Sequence, residues 1–227
     1  MLIENYENLI KNICFDKFEK FKALLLEYNE KCNLTSLTDE KDIFYKHFLD
    51  SCAGESLFSK EAKVIEIGSG GGFPSIPLMI IREDLKFTLL ESTGKKCEFL
   101  RDVVDKLGLN CEQVLNMRAE DGAHSENLRE KFDFACARAV ARLNTLCEYC
   151  LPFVKVGGSF VSYKGVADEE IKEAGNAIKV LGGKIEKIIN YELPQNMGKR
   201  TLIVIKKVCA TDKKYPRGNG KERKNPL

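Results

Sequence analysis

Up to about position 60, apolar residues recur at three- and four-residue steps. Leu9, Ile13, Phe18, Phe21, Leu24, Leu25 and Tyr28 follow the spacing of one face of an amphipathic helix. The stretch Asn33-Leu34-Thr35-Ser36-Leu37-Thr38-Asp39 breaks that pattern with residues that favour caps and turns. Ile43, Phe44, His47, Phe48 and Leu49 then predict a second helix ending near Asp50-Ser51. From position 63 the rhythm changes. Apolar runs at 64–67, 87–91, 111–116, 132–137, 159–163, 184–192 and 201–207 read as strands, and stretches at 74–82, 93–107, 143–151 and 168–181 read as helices. Strands alternating with helices predict an α/β fold with a mostly parallel sheet covered on both faces. Residues 193–200 are too few for a helical crossover, so the last two strands should pair as an antiparallel hairpin. The pattern divides the chain into a helical N-terminal extension (1–60), an α/β domain (61–208) and a C-terminal tail (209–227).

The most telling local feature follows the first strand. The run Glu66-Ile67-Gly68-Ser69-Gly70-Gly71-Gly72-Phe73-Pro74 reaches an acid and then breaks into a glycine-rich turn, with a helix expected from Pro74. Such a turn lets backbone approach a ligand closely, because glycine has no Cβ and tolerates positive φ. The dinucleotide fingerprint G-x-G-x-x-G needs a third glycine where Phe73 stands, or at Ser75 if counted from Gly70. The turn therefore leans from NAD towards S-adenosylmethionine (SAM), with a plain strand–helix turn as the bland alternative. Five parallel strands followed by a hairpin are what the Rossmann-like sheet of a class I SAM-dependent methyltransferase looks like. A seven-stranded sheet of that kind is the expected fold.

In open α/β sheets ligands bind at the carboxyl ends of the strands. Glu66, Gly68 and Gly70 fall there after strand one. Glu91, closing strand two, can accept both hydroxyls of a ribose, or it can serve as a helix N-terminal acid ahead of Thr93. Ala119 and Glu120 follow strand three, where adenine commonly lies. Arg138 ends strand four, as an anion binder or a partner of Glu66. Lys164 ends strand five and adds a cation to the rim. Lys95 and Lys96 stand in a first helical turn, where the helix dipole favours anions. That placement suits an edge approached by phosphates, though a solvated surface tolerates it.

Composition narrows the picture. Hydrophobic residues make up 44% and charged residues 31%, an ordinary globular balance. No apolar run approaches the ~20 residues of a membrane span, and the start Met1-Leu2-Ile3-Glu4-Asn5-Tyr6-Glu7 lacks the pattern of a secretory signal. A cytoplasmic protein is expected. The nine cysteines are odd in number and scattered, against a disulfide framework. Cys147-Glu148-Tyr149-Cys150 is the only C-x-x-C; without a second pair or a nearby His it reads as helix packing before metal or redox chemistry, and no metal is expected. The net charge of +2 hides an asymmetry: residues 206–227 carry +6, leaving −4 on the body. A basic tail suggests a polyanionic partner such as nucleic acid, or a solvated chain end.

Methylation of an exocyclic amine commonly uses an Asn/Asp-Pro-Pro-aromatic loop after strand four; here Ala137-Arg138-Ala139-Val140 stands there. Methylation of pyrimidine carbon five uses a nucleophilic Cys beside Pro, and no Pro-Cys dipeptide exists in the chain. A ring nitrogen such as guanine N7 offers a lone pair in the base plane and needs neither a base nor a covalent intermediate. Catalysis is then a matter of positioning.

Taken together, Glu66-Ile67-Gly68-Ser69-Gly70-Gly71-Gly72-Phe73-Pro74-Ser75-Ile76-Pro77 resembles the glycine loop of the bacterial RsmG (GidB) rRNA methyltransferases. Asn33-Leu34-Thr35-Ser36, His47-Phe48-Leu49-Asp50-Ser51, Leu89-Leu90-Glu91-Ser92-Thr93-Gly94-Lys95-Lys96, Arg138-Ala139 and Lys214-Tyr215-Pro216-Arg217 extend the resemblance over nearly the whole chain. It implies a SAM-dependent enzyme that methylates guanine N7 at position 527, in the 530 loop of 16S rRNA, on the small ribosomal subunit. It implies a SAM site at Gly68, Phe73, Glu91, Ser92, Thr93, Ala119, Glu120 and Arg138. Glu66 and Gly70 are added from their place at the strand end. It implies RNA-side residues at Asn33, His47, Asp50, Lys95, Lys164, Arg200 and the basic tail. His47, beside Phe44 and Phe48, is equally readable as a packed or capping histidine. A monomer is expected. The alternatives are a SAM-dependent methyltransferase of a small molecule, which would not need the tail, and a non-catalytic SAM- or RNA-binding module.

Overall fold

The computed structural model describes residues 3–227, with side chains from residue 5; the first positions of the predicted extension lie outside the described residues. The extension opens with α1 (Ile3–Asn8), a π-helical turn (Leu9–Ile13) and α2 (Phe15–Cys32). After the polar break, Asp39 caps α3 (Glu40–Asp42) by accepting the Lys41 and Asp42 amides. The helix runs on through a second π-helical turn (Ile43–Leu49) into α4 (Asp50–Cys52). The first π turn rotates the apolar face. Ile13, expected inside, is 72% exposed, and Ile10 is buried in its place.

Seven strands form one sheet: β1 (Lys63–Ile67), β2 (Lys86–Glu91), β3 (Cys111–Asn116), β4 (Phe132–Arg138), β5 (Val154–Lys164), β6 (Gly183–Glu192) and β7 (Lys199–Lys207). Their order is β3-β2-β1-β4-β5-β7-β6. The first five run parallel, while β7 pairs antiparallel with both β5 and β6. The helices are α5 (Ser75–Ile81), α6 (Gly94–Leu107), α7 (Ala119–His124), α8 (Leu143–Cys150), α9 (Asp168–Glu173), α10 (Gly175–Val180) and α11 (Lys221–Lys224). Three details differ from the sequence pattern. Pro74 is the N-cap of α5 and not its first helical residue. The helix expected over 168–181 is divided at Ala174 into α9 and α10. The short α7 gave no periodic signal.

The two sheet faces are covered differently. On one, Phe18, Phe21, Leu25, Ile43, Phe48 and Leu49 of the extension join α5 and α6 over Val64, Phe87 and Leu89. At roughly 1.5–3 kcal/mol per buried large side chain, the extension is integral to this core. On the other, α8 and α10 pack over Ile65, Ile67, Ala135, Phe160 and Ile205, with Tyr215 of the tail among them. The β1 turn therefore emerges between the extension on one side and α7, α8 and the tail on the other.

Candidate functional site

The glycine turn is built for close approach. Gly68 has φ +71, and a Cβ there would lie 2.7 Å from Val140 Cγ2; at Gly72, φ +79, it would lie 2.4 Å from Ile76 Cγ1. The turn is tied to β2 by Gly68 and Ser69 amides donating to Leu90 O at 2.8 and 3.2 Å. Gly70 N donates to Glu91 Oε2 at 3.0 Å, and Thr93 N donates to Glu91 Oε1 at 2.8 Å. Glu91 thus faces the start of α6 and braces the glycine loop with the same carboxylate. Each oxygen keeps a further lone pair.

Glu66 is fully buried behind the turn. Ser75 donates to its Oε2 at 2.5 Å, and among the described residues Oε1 has no partner. Burial pushes its carboxyl up from 4.5 to about 7, against the Ser75 and Ser69 hydrogen bonds and the Arg138 charge. Its direct partner is Ser75; the pairing with Arg138 that the sequence left open is not made.

Arg138 instead reaches the extension. It donates to Lys46 O at 3.0 Å, Asp50 Oδ2 at 3.1 Å and His47 Nδ1 at 2.7 Å. Its guanidinium sits 4.8 Å over the Phe73 ring. Guanidinium can only donate, so the bond assigns the His47 proton to Nε2, which donates to Thr35 Oγ1 at 2.7 Å. The imidazole stacks on Phe73 at 4.2 Å. Burial and the Arg138 charge push His47 down from 6.5 to about 3. It is a neutral ring with both nitrogens engaged. Asp50, 4% exposed, also accepts from Tyr191 at 2.6 Å and faces Arg200 Nε at 3.5 Å. One carboxylate therefore joins the extension to β4, β6 and β7. Tyr191 was missed because one tyrosine in an amphipathic strand carries no sequence signal.

A cleft of about 730 Å³ opens over the strand ends. Of the expected cofactor residues, Gly68, Ser92, Ala119 and Glu120 line it. Gly70 and Glu91 brace the turn behind it. Glu66, Phe73, Thr93 and Arg138 are not in its wall; the Phe73 ring lies under His47 and Arg138 and packs on Phe21 at 5.3 Å. Ile67, Leu90, Met117, Arg118, Asp121, His124, Val140 and Tyr149 complete the cleft, together with Arg217, Gly218, Asn219, Gly220 and Arg223 of the tail.

The RNA-side expectations separate into two groups. Asn33, with φ 49, ends α2 and leads into a loop whose Leu34 and Thr35 amides donate to Asn29 Oδ1. Leu34 O lies 3.4 Å from where a Gly71 Cβ would stand. That loop, His47, Asp50, Arg138 and Arg200 thus gather beside the glycine turn. Lys95 is exposed at the start of α6. Lys164 is not a free cation on the rim: its ammonium donates to Ala141 O and to Glu170 at 2.7 Å.

The tail is packed on the body, and the solvated chain end does not describe it. Arg129 donates to Ala123 O of α7 and to Thr211 O, Asp212 O and Tyr215 O of the tail, fastening the one to the other. Arg217 forks onto the buried Glu148 at 2.9 and 2.8 Å. His124 Nε2 lies 2.9 Å from Pro216 O. Cys147 and Cys150 are buried in α8 with thiols pushed up by burial. No group of three or more His, Cys, Asp or Glu suited to a metal occurs among the described residues, and no helix among them is long and apolar enough to cross a membrane.

The sheet order, with β7 reversed and the ligand cleft at the β1 turn, defines a class I SAM-dependent methyltransferase. Solved structures share this fold: a SAM-dependent methyltransferase from Aquifex aeolicus, 17% identical, TM-score 0.55, covering 76% of this chain and 96% of its own; and an O-methyltransferase from Thermotoga maritima, 15% identical, TM-score 0.53, covering 83% and 72%. Within that class, the family model described as GidB, rRNA small subunit methyltransferase G, matches residues 15–200, and the chain belongs to this family. Relatives called ribosomal RNA small subunit methyltransferase G include those of Acetivibrio thermocellus, 46% identical over 93% of this chain and 88% of the relative, Lactobacillus johnsonii, 44% over 93% and 90%, and Clostridium perfringens, 42% over 98% and 99%.

The residues present fit SAM. The cleft volume lies within the ~300–1,000 Å³ of small-ligand sites. The glycine turn leaves room at Gly70, where the nearest atom to an added Cβ would be 3.7 Å away. The unpartnered buried oxygen of Glu66 suits a cationic ligand.

Proposed function

We propose that this chain methylates N7 of a guanine in the 530 loop of 16S rRNA, acting as a cytoplasmic monomer on the small ribosomal subunit. The match to the rRNA methyltransferase family over residues 15–200 carries this reading. Bound in the cleft, SAM supplies an electrophilic methyl group on a cationic sulfur. Gly68, Ser92, Ala119 and Glu120 would hold its adenosine part with Glu91 at the ribose, and Glu66 would balance its charge.

The chain's own residues orient and exclude. Arg138 and Phe73 fix His47 against Thr35, and Asp50 fixes Arg138, so the floor beside the glycine turn is rigid before any acceptor arrives. His47 and Asp50 are held as partners of Thr35, Arg138 and Tyr191, which makes them scaffold and not groups placed to take a proton. That suits an acceptor whose in-plane lone pair attacks without losing one. With SAM held there, transfer of its methyl group to N7 would leave the positive charge on the base, and no side chain would have to take a proton. Catalysis is then orientation, a contribution of up to ~7–11 kcal/mol when reacting atoms are held in contact. Asn33, Lys95, Arg200 and the loop at 33–37 would meet the RNA. The test is incubation with radiolabelled SAM and either naked 16S rRNA or assembled small subunits. Label recovered in guanine of the 530 loop supports the assignment; label confined to small molecules overturns it.

A further inference from the structure

The tail's charge points to RNA, but its position points elsewhere. Arg217, Gly218, Asn219, Gly220 and Arg223 line the same cleft as Gly68, Ser92 and Glu120. They are held there by partners inside the protein. Glu148, 1% exposed, takes Arg217 through two parallel bonds and also accepts its amide at 2.8 Å. Thr145 donates to Glu222 O at 2.8 Å. His124 closes α7 and meets Pro216 O, while Ala119 and Glu120 open α7 and line the cleft floor. The tail and the expected adenine-side residues are therefore fastened to one short helix. Directly behind Gly218, Glu222 is fully buried, with one oxygen accepting the Gly218 amide and the other without a partner among the described residues.

We propose that residues 217–223 form the outer wall of the adenosine site and bind the adenine end of SAM. The proposal rests on the cleft being the SAM site. Met117 and Val140 offer apolar surface to a purine face. Adenine carries acceptors at N1, N3 and N7, and the Asn219 carboxamide and Arg223 guanidinium supply donors at the cleft's outer edge. Gly218 and Gly220, with φ +71 and +73 and nothing within 4 Å of an added Cβ, let the backbone pass beside a ring. A tail built this way contributes to any methyl transfer by this chain, whatever the acceptor, so loss of activity on truncation does not identify RNA as the substrate.

The test uses S-adenosylhomocysteine as probe. Asn219 and Arg223 are exposed, and Gly tolerates the φ of +57 that Asn219 adopts, so the double variant N219G/R223A should keep the fold. Calorimetric titration should show wild-type binding, and an affinity at least fivefold weaker in the variant. Affinity of the two proteins for a 16S rRNA fragment carrying the 530 loop should agree within twofold. Limited trypsin digestion of the wild-type chain should slow at Arg217, Lys221 and Arg223 when the probe is added. Unchanged probe affinity in the variant, a loss of RNA affinity in its place, or no protection from trypsin would each overturn the proposal. A wild-type chain that fails to bind the probe would remove the SAM assignment itself, an outcome separate from all of these.

Discussion

Replacing Glu66 by Gln should stabilise the ligand-free protein at alkaline pH while weakening its grip on the cofactor. Glu66 is fully buried, one of its oxygens has no partner, and burial pushes its carboxyl from 4.5 to about 7. A carboxyl raised in the folded state binds its proton more tightly than the unfolded chain does. Its contribution to stability is complete below pH 4.5 and is lost as pH rises through about 7. At ~1.4 kcal/mol per tenfold change in the protonation equilibrium, that interval is worth about 3 kcal/mol. Glu66→Gln removes the buried charge and keeps an acceptor for Ser75. Thermal unfolding of the apo protein at pH 8 should therefore occur about 6–12 °C higher in the variant. The gap should shrink towards zero near pH 4.5, while S-adenosylhomocysteine binding at pH 8 weakens by tenfold or more. Equal melting differences at both pH values would refute the reasoning, because they would show a packing effect in place of a charge.

Other consequences are as direct. Asp50→Ala strands Arg138 without its carboxylate and should cost about 3–5 kcal/mol in urea unfolding; Asp50→Asn, able to accept from Tyr191, should cost less. His47 should show a neutral imidazole protonated at Nε2 from pH 8 down to pH 5 in nitrogen NMR, and its stabilising contribution should fall as pH drops below 6.5, because the unfolded chain takes the proton first. Titration of His47 near 6.5 in the folded protein would contradict the assignment. Gly68→Ala adds a Cβ at 2.7 Å from Val140 on a backbone with φ +71, so it should lose about 1–3 kcal/mol of stability and more than tenfold in probe affinity.

What the sequence revealed and what it hid have physical causes. Short apolar runs spaced by helical segments declared the sheet, because the central strands β1, β2, β4 and β5 are buried on both faces. The antiparallel hairpin was legible because residues 193–200 leave no room for a crossover. Glu91 closes β2 beside the glycine turn as expected, and its carboxylate accepts the Gly70 and Thr93 amides, the helix-start role that the sequence offered beside the ribose one. Arg138 ends β4 as expected, but its partners Lys46, His47 and Asp50 lie about ninety residues earlier, and nothing local announces such a contact. Lys164 looked free only because Glu170, which neutralises it, sits on the next helix. The tail was read from its charge alone, as a nucleic-acid-binding segment or a solvated chain end, and the second does not hold. Its charge is genuine, yet Arg217 is bound to a buried acid on α8 and the tail's carbonyls are held by Arg129. Phe73, noticed as the residue that spoils a dinucleotide fingerprint, serves as the plate on which His47 and Arg138 stack.

The central claim is tested most directly by the chemistry of the product. N7-methylguanine, once reduced with borohydride, breaks the RNA chain under aniline, and other guanine methylations do not. Small ribosomal subunits from cells lacking this gene, treated with the purified chain and SAM, should yield 16S rRNA with one new scission, at a guanine of the 530 loop. Methyl transfer to that RNA without scission, or scission at a different guanine, would contradict it.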